Sequence, residues 1–294
     1  MINNIVYCTN SKHIHFLGAS IYSLLINNFH IEFNINIIYS KLTSNDILYL
    51  KNILNQFDSK IFFNKINEQM FSDFPITHKI FSKENYYRLL IPEIIKTDFV
   101  LYLDVDTLIL NNLSELLSTN LDNYSLAAVN DFGFHNHLDI ILPDKSNYYF
   151  NTGVLLLNLK IWRSENLSFK IYDFIKVNQS IIKFVDQCSI NAIIPYNYLR
   201  LDTIYNFQLG PFKNKKINNL TNNYIIHFTT NKNLTQFVNF NSIALKLFFK
   251  YLKNTKYFEF NQLYLTYLCY KYLLFIPKLI YKFLIKFYNF IRYN

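Results

Sequence analysis

At 294 residues, with 51% hydrophobic and 17% charged side chains, the chain can bury a sizeable core and falls outside the disordered class. Its formal charge of +9, from 29 basic and 20 acidic residues, points to an anionic partner such as a nucleotide, a nucleic acid or a membrane surface. Cys8, Cys188 and Cys269 are odd in number and far apart, which excludes a disulfide framework and a zinc-ligand spacing and fits a reducing compartment. No basic stretch precedes an apolar one at the amino terminus, and no apolar run reaches the roughly 18 residues that span a bilayer, so a cytoplasmic protein is expected. The abundance of Asn, Ile, Lys, Phe and Tyr reads as the usage of an AT-rich genome. Functional argument must therefore come from position.

Residues 5–9 read as a buried strand, followed by a polar break at 10–12 and a helical pattern over 15–26. A second strand is expected at 33–39. Thr43 or Ser44 caps a helix running to about Phe57, and a third strand follows at 60–63. A helix over 82–91 carries Arg88 and leads through Pro92 to a strand at 99–103. Further strands are expected at 124–129 and 152–157, separated by an irregular polar connection at 131–147. A helical stretch at 159–177, a short helix opening at Asp186 and Gln187, and a strand at 224–228 complete this part. The alternation of strand and helix predicts an α/β protein with a Rossmann-like, mostly parallel sheet, whose ligands bind beyond the carboxyl ends of the strands where the winding reverses.

Asn10 and Asp104 sit at such strand ends. In Asp104-Val105-Asp106-Thr107 two carboxylates follow a buried strand one residue apart. They repel, and burial of an uncompensated carboxylate costs several kcal/mol. A divalent cation would compensate them, provided the strand breaks into a turn that lets both reach one ion. The bland alternative is a strand capped by solvated acids. Two enzymatic chemistries fit the motif itself. The acids can hold a metal against a nucleotide-sugar diphosphate, or Asp104 can act as the nucleophile of a haloacid-dehalogenase-like phosphatase. That phosphatase motif normally ends the first strand of its domain, whereas about a hundred residues of α/β pattern precede this one.

Six segments in order resemble family 8 glycosyltransferases, the retaining group that includes bacterial lipopolysaccharide galactosyl- and glucosyltransferases. They are NIVYC at 4–8, YYRLLIP at 86–92, VLYLDVD at 100–106, YFNTGVLLLN at 149–158, Asp186-Gln187, and IHF at 226–228. The resemblance implies a GT-A fold over 1–240, a UDP-sugar donor, and Mn²⁺, with Mg²⁺ as a substitute, held by Asp104, Asp106 and His227. It also implies that Cys8, Asn10, Arg88, Asp104, Val105, Asn151 and Lys232 line the donor site. In that comparison Arg88 steadies the diphosphate, Asn10 accepts a uracil N–H, and Asp131, Asn151, Asp186 and Gln187 meet the donor sugar. Gln187 lies on the reacting face, where its amide oxygen would stabilise charge at the anomeric carbon. The sequence departs from the family pattern at Asn10, at Cys188, and at Thr230 and Lys232, where the loop after His227 is shortened.

The carboxy-terminal region, 241–294, is expected to be helical and membrane-associating from about 263. On a helical wheel Lys271, Lys278, Lys282, Lys286 and Arg292 fall within roughly a third of the circumference, with aliphatic and aromatic residues around the rest. That pattern suits a helix lying in the headgroups of an anionic membrane. The combined expectation is a cytoplasmic, inner-membrane-peripheral transferase moving galactose or glucose from UDP to a lipid-linked saccharide, with no nucleic-acid partner. A non-catalytic membrane-bound sugar-nucleotide-binding protein is the alternative outside enzymology.

Overall fold

The computed structural model describes residues 3–78, 81–133, 149–210, 224–229 and 242–256, with backbone alone for 242–245. Strand β1 (Asn4–Thr9) alternates its side chains between two cores, Ile5 and Tyr7 on one face and Val6 and Cys8 on the other. Helix α1 (Ile14–Asn27) covers the first face, and β2 (Asn34–Tyr39), α2 (Ser44–Leu54) and β3 (Lys60–Lys65) extend the layer. Thr43 caps α2 through a reciprocal pair with Asp46. Gly18 on α1 makes room for Tyr49 of α2, whose hydroxyl would lie 1.9 Å from an added β-carbon.

The stretch expected to be one helix before the acids is a 3₁₀ helix (Lys83–Leu90) that passes into α3 (Ile91–Ile94). Pro92 sits in the first turn of α3, where its missing N–H costs nothing. Strand β4 (Phe99–Leu103) then joins β1 in parallel, and β5 (Thr107–Ile109) leaves the sheet after a turn, followed by α4 (Ser114–Leu117). β6 (Leu126–Asn130) and β7 (Phe150–Asn158) are antiparallel to each other. The connection between them lies, beyond Gly133, outside the described residues.

The long helix expected at 159–177 is broken into α5 (Leu159–Ser164) and α6 (Leu167–Val177). Asn166 occupies the left-handed region at φ 52°, which Asn tolerates better than most residues and a continuous helix does not accept. Helix α7 (Val185–Ile193), β8 (Tyr198–Arg200), β9 (Phe207–Gln208), β10 (Ile225–His227) and α8 (Ser242–Lys253) follow. Among the described residues the main sheet has the order β3-β2-β1-β4-β7-β6-β8, and a small second sheet has the order β5-β10-β9. Antiparallel β7 is the exception in an otherwise parallel main sheet.

The winding reverses between β1 and β4, and the crevice beyond their carboxyl ends holds Asn10 and Asp104 as expected. One core lies between the sheet and α1, α2 and α8, where Phe248 packs 5.1 Å from the ring of Phe16. The other lies under the 3₁₀ helix and α3, α5, α6 and α7. No helix among the described residues is long and apolar enough to cross a membrane. Cys269 and the basic, aromatic stretch from 263 lie outside the described residues.

Candidate active site

Strand β4 stops at Leu103, and residues 104–106 form the turn that two convergent carboxylates require. Thr107 closes it, donating from its hydroxyl to the Asp104 carbonyl at 2.8 Å. β5 then carries the chain into the second sheet, where β10 pairs with it antiparallel and sets His227 opposite Thr107. The Phe228 amide donates to the Asp106 carbonyl at 2.9 Å, so backbone pairing rather than side-chain chance brings a histidine from far along the chain to the acids. His227 Nε2 is 3.6 Å from both Asp104 Oδ2 and Asp106 Oδ1.

One ligand atom from each of Asp104, Asp106 and His227 lies within 4.8 Å of the others. Two carboxylates and one imidazole form a donor set suited to a divalent ion of the Mn²⁺ or Mg²⁺ kind. Asp106 and His227 are each 4% exposed, and cationic charge at their meeting point would offset the repulsion of the acids. The residues present therefore fit a metal ion.

Arg88 underlies this centre. Its guanidinium is 2% exposed and reaches Asp104 Oδ1 at 3.0 Å through Nη2 and Asp186 Oδ2 at 3.1 Å through Nε. Nη1 donates to the Thr152 carbonyl, and Nε also meets the Asn85 carbonyl at 3.0 Å. The cation stacks 4.4 Å from the centre of the Tyr102 ring. Arg88 thus meets protein oxygens from all three of its nitrogens, and it holds two acids in place. Tyr102 adds a 2.6 Å bond to Asp104 Oδ1, so Oδ1 is satisfied from below while Oδ2 faces His227. Asp186 is 1% exposed, and burial outweighs Arg88 to push its carboxyl up to about 6. Asp186 Oδ2 accepts from the Thr152 hydroxyl at 3.2 Å as well as meeting Arg88.

Asn151 lies within fully buried β7. Its Nδ2 donates to Asp131 Oδ2 at 3.1 Å and Gln187 Oε1 at 3.2 Å. Gln187 Nε2 donates to Asp131 Oδ2 at 2.9 Å, while its Oε1 accepts from the Thr152 amide at 3.2 Å. Gln187 Oε1 thus accepts two bonds within the protein, and half-buried Asp131 collects the two amide donors. Val185, immediately before the Asp186-Gln187 pair, has φ 28°. A β-branched residue held there stores about 1–3 kcal/mol of strain, a cost often found beside functional groups.

Asn10 donates to the Glu84 carboxylate and accepts from the Lys12 amide at 2.9 Å. Cys8 is buried, its thiol raised by burial, and the Val105 side chain is packed into the first core, so these two offer a ligand little beyond backbone. Lys232 lies outside the described residues. The sequence reading missed Glu84, Tyr102, Asn206 and Gln208. Asn206 and Gln208 are 0% and 2% exposed, and the one signal for them is a pair of amides alternating with the aromatics Tyr205 and Phe207.

An α/β protein with a candidate metal centre of two acids and a histidine at its topological switch point is what the fold and the site define together. The model of the family described as glycosyl transferase family 8 matches residues 4–233, and the chain belongs to that family. A putative glycosyltransferase of Haemophilus influenzae is 29% identical over 212 residues, 69% of this chain and 63% of that protein. The lipopolysaccharide 1,2-glucosyltransferase of Escherichia coli is 26% identical over 208 residues, 69% of this chain and 61% of that one. The chain thus spans somewhat under two thirds of the length of these two relatives. The galactosyltransferase LgtC, solved with donor and acceptor sugar analogues, matches with a TM-score of 0.76 at 21% identity, over 85% of this chain and 95% of that chain. The fold is accordingly the expected GT-A arrangement, and family membership sets aside the phosphatase reading.

Proposed function

We propose that this glycosyltransferase moves a hexose, galactose or glucose, from a UDP-sugar to a saccharide of the lipopolysaccharide or lipooligosaccharide type, with retention at the anomeric carbon. The observation that carries the reading is the convergence of Asp104, Asp106 and His227 at the sheet's switch point in a family 8 chain. Relatives named for lipopolysaccharide glucosyl and galactosyl transfer support the acceptor class.

Asp104 Oδ2, Asp106 and His227 Nε2 would hold Mn²⁺, which supplies positive charge to the departing diphosphate when bound. Arg88 and Tyr102 fix Asp104 so that one oxygen faces this position. Asp131, Asn151 and Gln187 present polar groups to the sugar. In a front-side substitution the bond from the anomeric carbon to the diphosphate oxygen breaks, the bond to the acceptor oxygen forms on the same face, and the acceptor proton passes to the departing UDP. The residues assigned to catalysis all lie within 1–240, on a core that helix α8 helps to complete. The basic, aromatic stretch from about 263 would hold the protein peripherally on the anionic cytoplasmic face of the inner membrane, beside a lipid-linked acceptor.

Incubation with Mn²⁺ and UDP-galactose or UDP-glucose tests the reading. Slow UDP release, abolished by Asp106→Ala, is expected. UDP binding without turnover in the presence of saccharide acceptors would instead establish a non-catalytic sugar-nucleotide-binding protein. For the tail, removal of residues 263–294 should free the protein from anionic liposomes and leave UDP binding intact.

A further inference from the structure

The polarity of the buried amides at the site is fixed by two backbone N–H groups, and following it through leads to Asn206. The Gly153 amide must donate, and it lies 3.0 Å from Asn151 Oδ1, which identifies that atom as an acceptor. The Asn206 atom 2.9 Å from the same Oδ1 must therefore be its Nδ2. Asn206 Oδ1 then faces His227 Nδ1 at 3.0 Å, and since a carbonyl oxygen only accepts, Nδ1 must carry the imidazole proton. In the neutral ring His227 Nε2 then carries the lone pair, 3.6 Å from Asp104 Oδ2 and Asp106 Oδ1. At the far end, the Thr152 amide donates to Gln187 Oε1, so Gln187 Nε2 and Asn151 Nδ2 both donate to Asp131. Asn206 is 0% exposed and joins the two halves.

We infer that Asn206 is a positioning residue that sets the tautomer of His227 for metal binding through its carbonyl and, through its amide, ties the metal centre to the Asn151, Gln187 and Asp131 cluster that faces the sugar. The inference rests on the reading of Asp104, Asp106 and His227 as a metal site. A partner on the second nitrogen of a metal-binding imidazole holds ring orientation, and its loss typically weakens metal affinity about 10–100-fold. The two ends of the Asn206 side chain do different work. An aspartate at this position keeps an acceptor for His227 Nδ1 but places a carboxylate against Asn151 Oδ1, where a donor is needed. Leucine keeps the bulk and removes both bonds.

The test begins with the full-length wild-type chain free of metal. Nitrogen-15 NMR of the imidazoles near pH 8, with His227 identified by the resonances missing from His227→Gln, should show Nδ1 protonated and Nε2 bare; the opposite tautomer overturns the inference. Mn²⁺ is then titrated into wild type, N206D and N206L by the EPR signal of the free ion. N206L should bind about 10–100-fold more weakly and N206D within about threefold of wild type, while N206D loses about tenfold in kcat for UDP release at saturating Mn²⁺. Wild-type affinity in N206L, or parallel losses of affinity and kcat in both variants, overturns the inference. Failure of the wild type itself to bind Mn²⁺ would defeat the proposed metal site, and the tautomer measurement would still judge Asn206. Should N206L fail to fold, N206D and the wild-type spectrum decide the matter.

Discussion

Gly153 and His227 share one small volume, since a β-carbon on Gly153 would lie 2.0 Å from His227 Cε1 and 2.6 Å from Nδ1. No glycine among the described residues has a positive φ, so the need here is for space and not for unusual backbone. Gly153→Ala should therefore push the imidazole away from Asp104 and Asp106. Overpacking of this kind costs about 1–3 kcal/mol, which the domain can survive. The expected result is a folded protein whose Mn²⁺ affinity falls by at least about tenfold. Calorimetric Mn²⁺ titration checks it, and unaltered affinity would show that His227 is not a ligand.

Arg88 lies between two acids with 2% of its surface exposed, so its removal leaves Asp104 and Asp186 facing each other without a cation. Breaking a buried pair from one side costs about 3–5 kcal/mol. Arg88→Met should lower the urea-unfolding free energy by that order, and adding Asp186→Asn to it should restore part of the loss. Arg88→Lys should fall between, because a single ammonium cannot span both carboxylates as the fork does. A loss under about 0.5 kcal/mol for Arg88→Met, the size of an ordinary surface substitution, would refute this account.

The acid pair, the strand before it and the histidine strand were legible because each is a contiguous pattern: an apolar run followed by polar chemistry. What was not legible depends on depth. The bonds that Arg88 makes to protein are one example, since the 3₁₀ winding buries Tyr86, Tyr87, Arg88, Leu89 and Leu90 together and brings the guanidinium onto protein oxygens that are distant in sequence. Asn206 has only its alternation with Tyr205 and Phe207 to separate it from the chain's many other asparagines. Its meaning comes from β9 pairing in parallel with β10, beside the strand that carries His227. The break at Asn166 was missed because apolar periodicity continues through it, while one left-handed residue redirects the helix.

Asp186 gives a pH signature. Burial holds its carboxyl up at about 6 against an ordinary value of 3.8. The folded chain therefore binds this proton more tightly than the unfolded chain, so the stability contributed by the group is present below about pH 4 and lost as pH rises through about 6. Asp186→Asn removes the titration. Between about pH 4.5 and 7 its stability relative to wild type should rise by on the order of 2 kcal/mol. Urea midpoints measured across that range decide it, and parallel profiles for the two proteins would refute the assignment.

Helix α8 bears on where the folded unit ends. Phe248 is 1% exposed, packs 5.1 Å from Phe16 and 6.0 Å from Phe228, and Phe228 directly follows His227. Two side-chain bonds tie the same segment to the helices beneath it, Asn27 donating to the Tyr251 hydroxyl at 3.0 Å and Tyr49 to the Thr255 hydroxyl at 2.7 Å. A boundary at 240 would strip this layer and expose Phe16. A chain ending after 256 should unfold as cooperatively as the full-length protein, whereas one ending after 240 should lose cooperative unfolding. Phe248→Ala in the full chain should cost about 3–5 kcal/mol. Because Phe248 supports the residue after His227, that variant should also weaken Mn²⁺ binding. Thermal unfolding with and without Mn²⁺ measures both effects, and the upward shift that Mn²⁺ gives the wild type should shrink in the variant. A shift of wild-type size would mean that α8 stabilises the first core without supporting the metal centre.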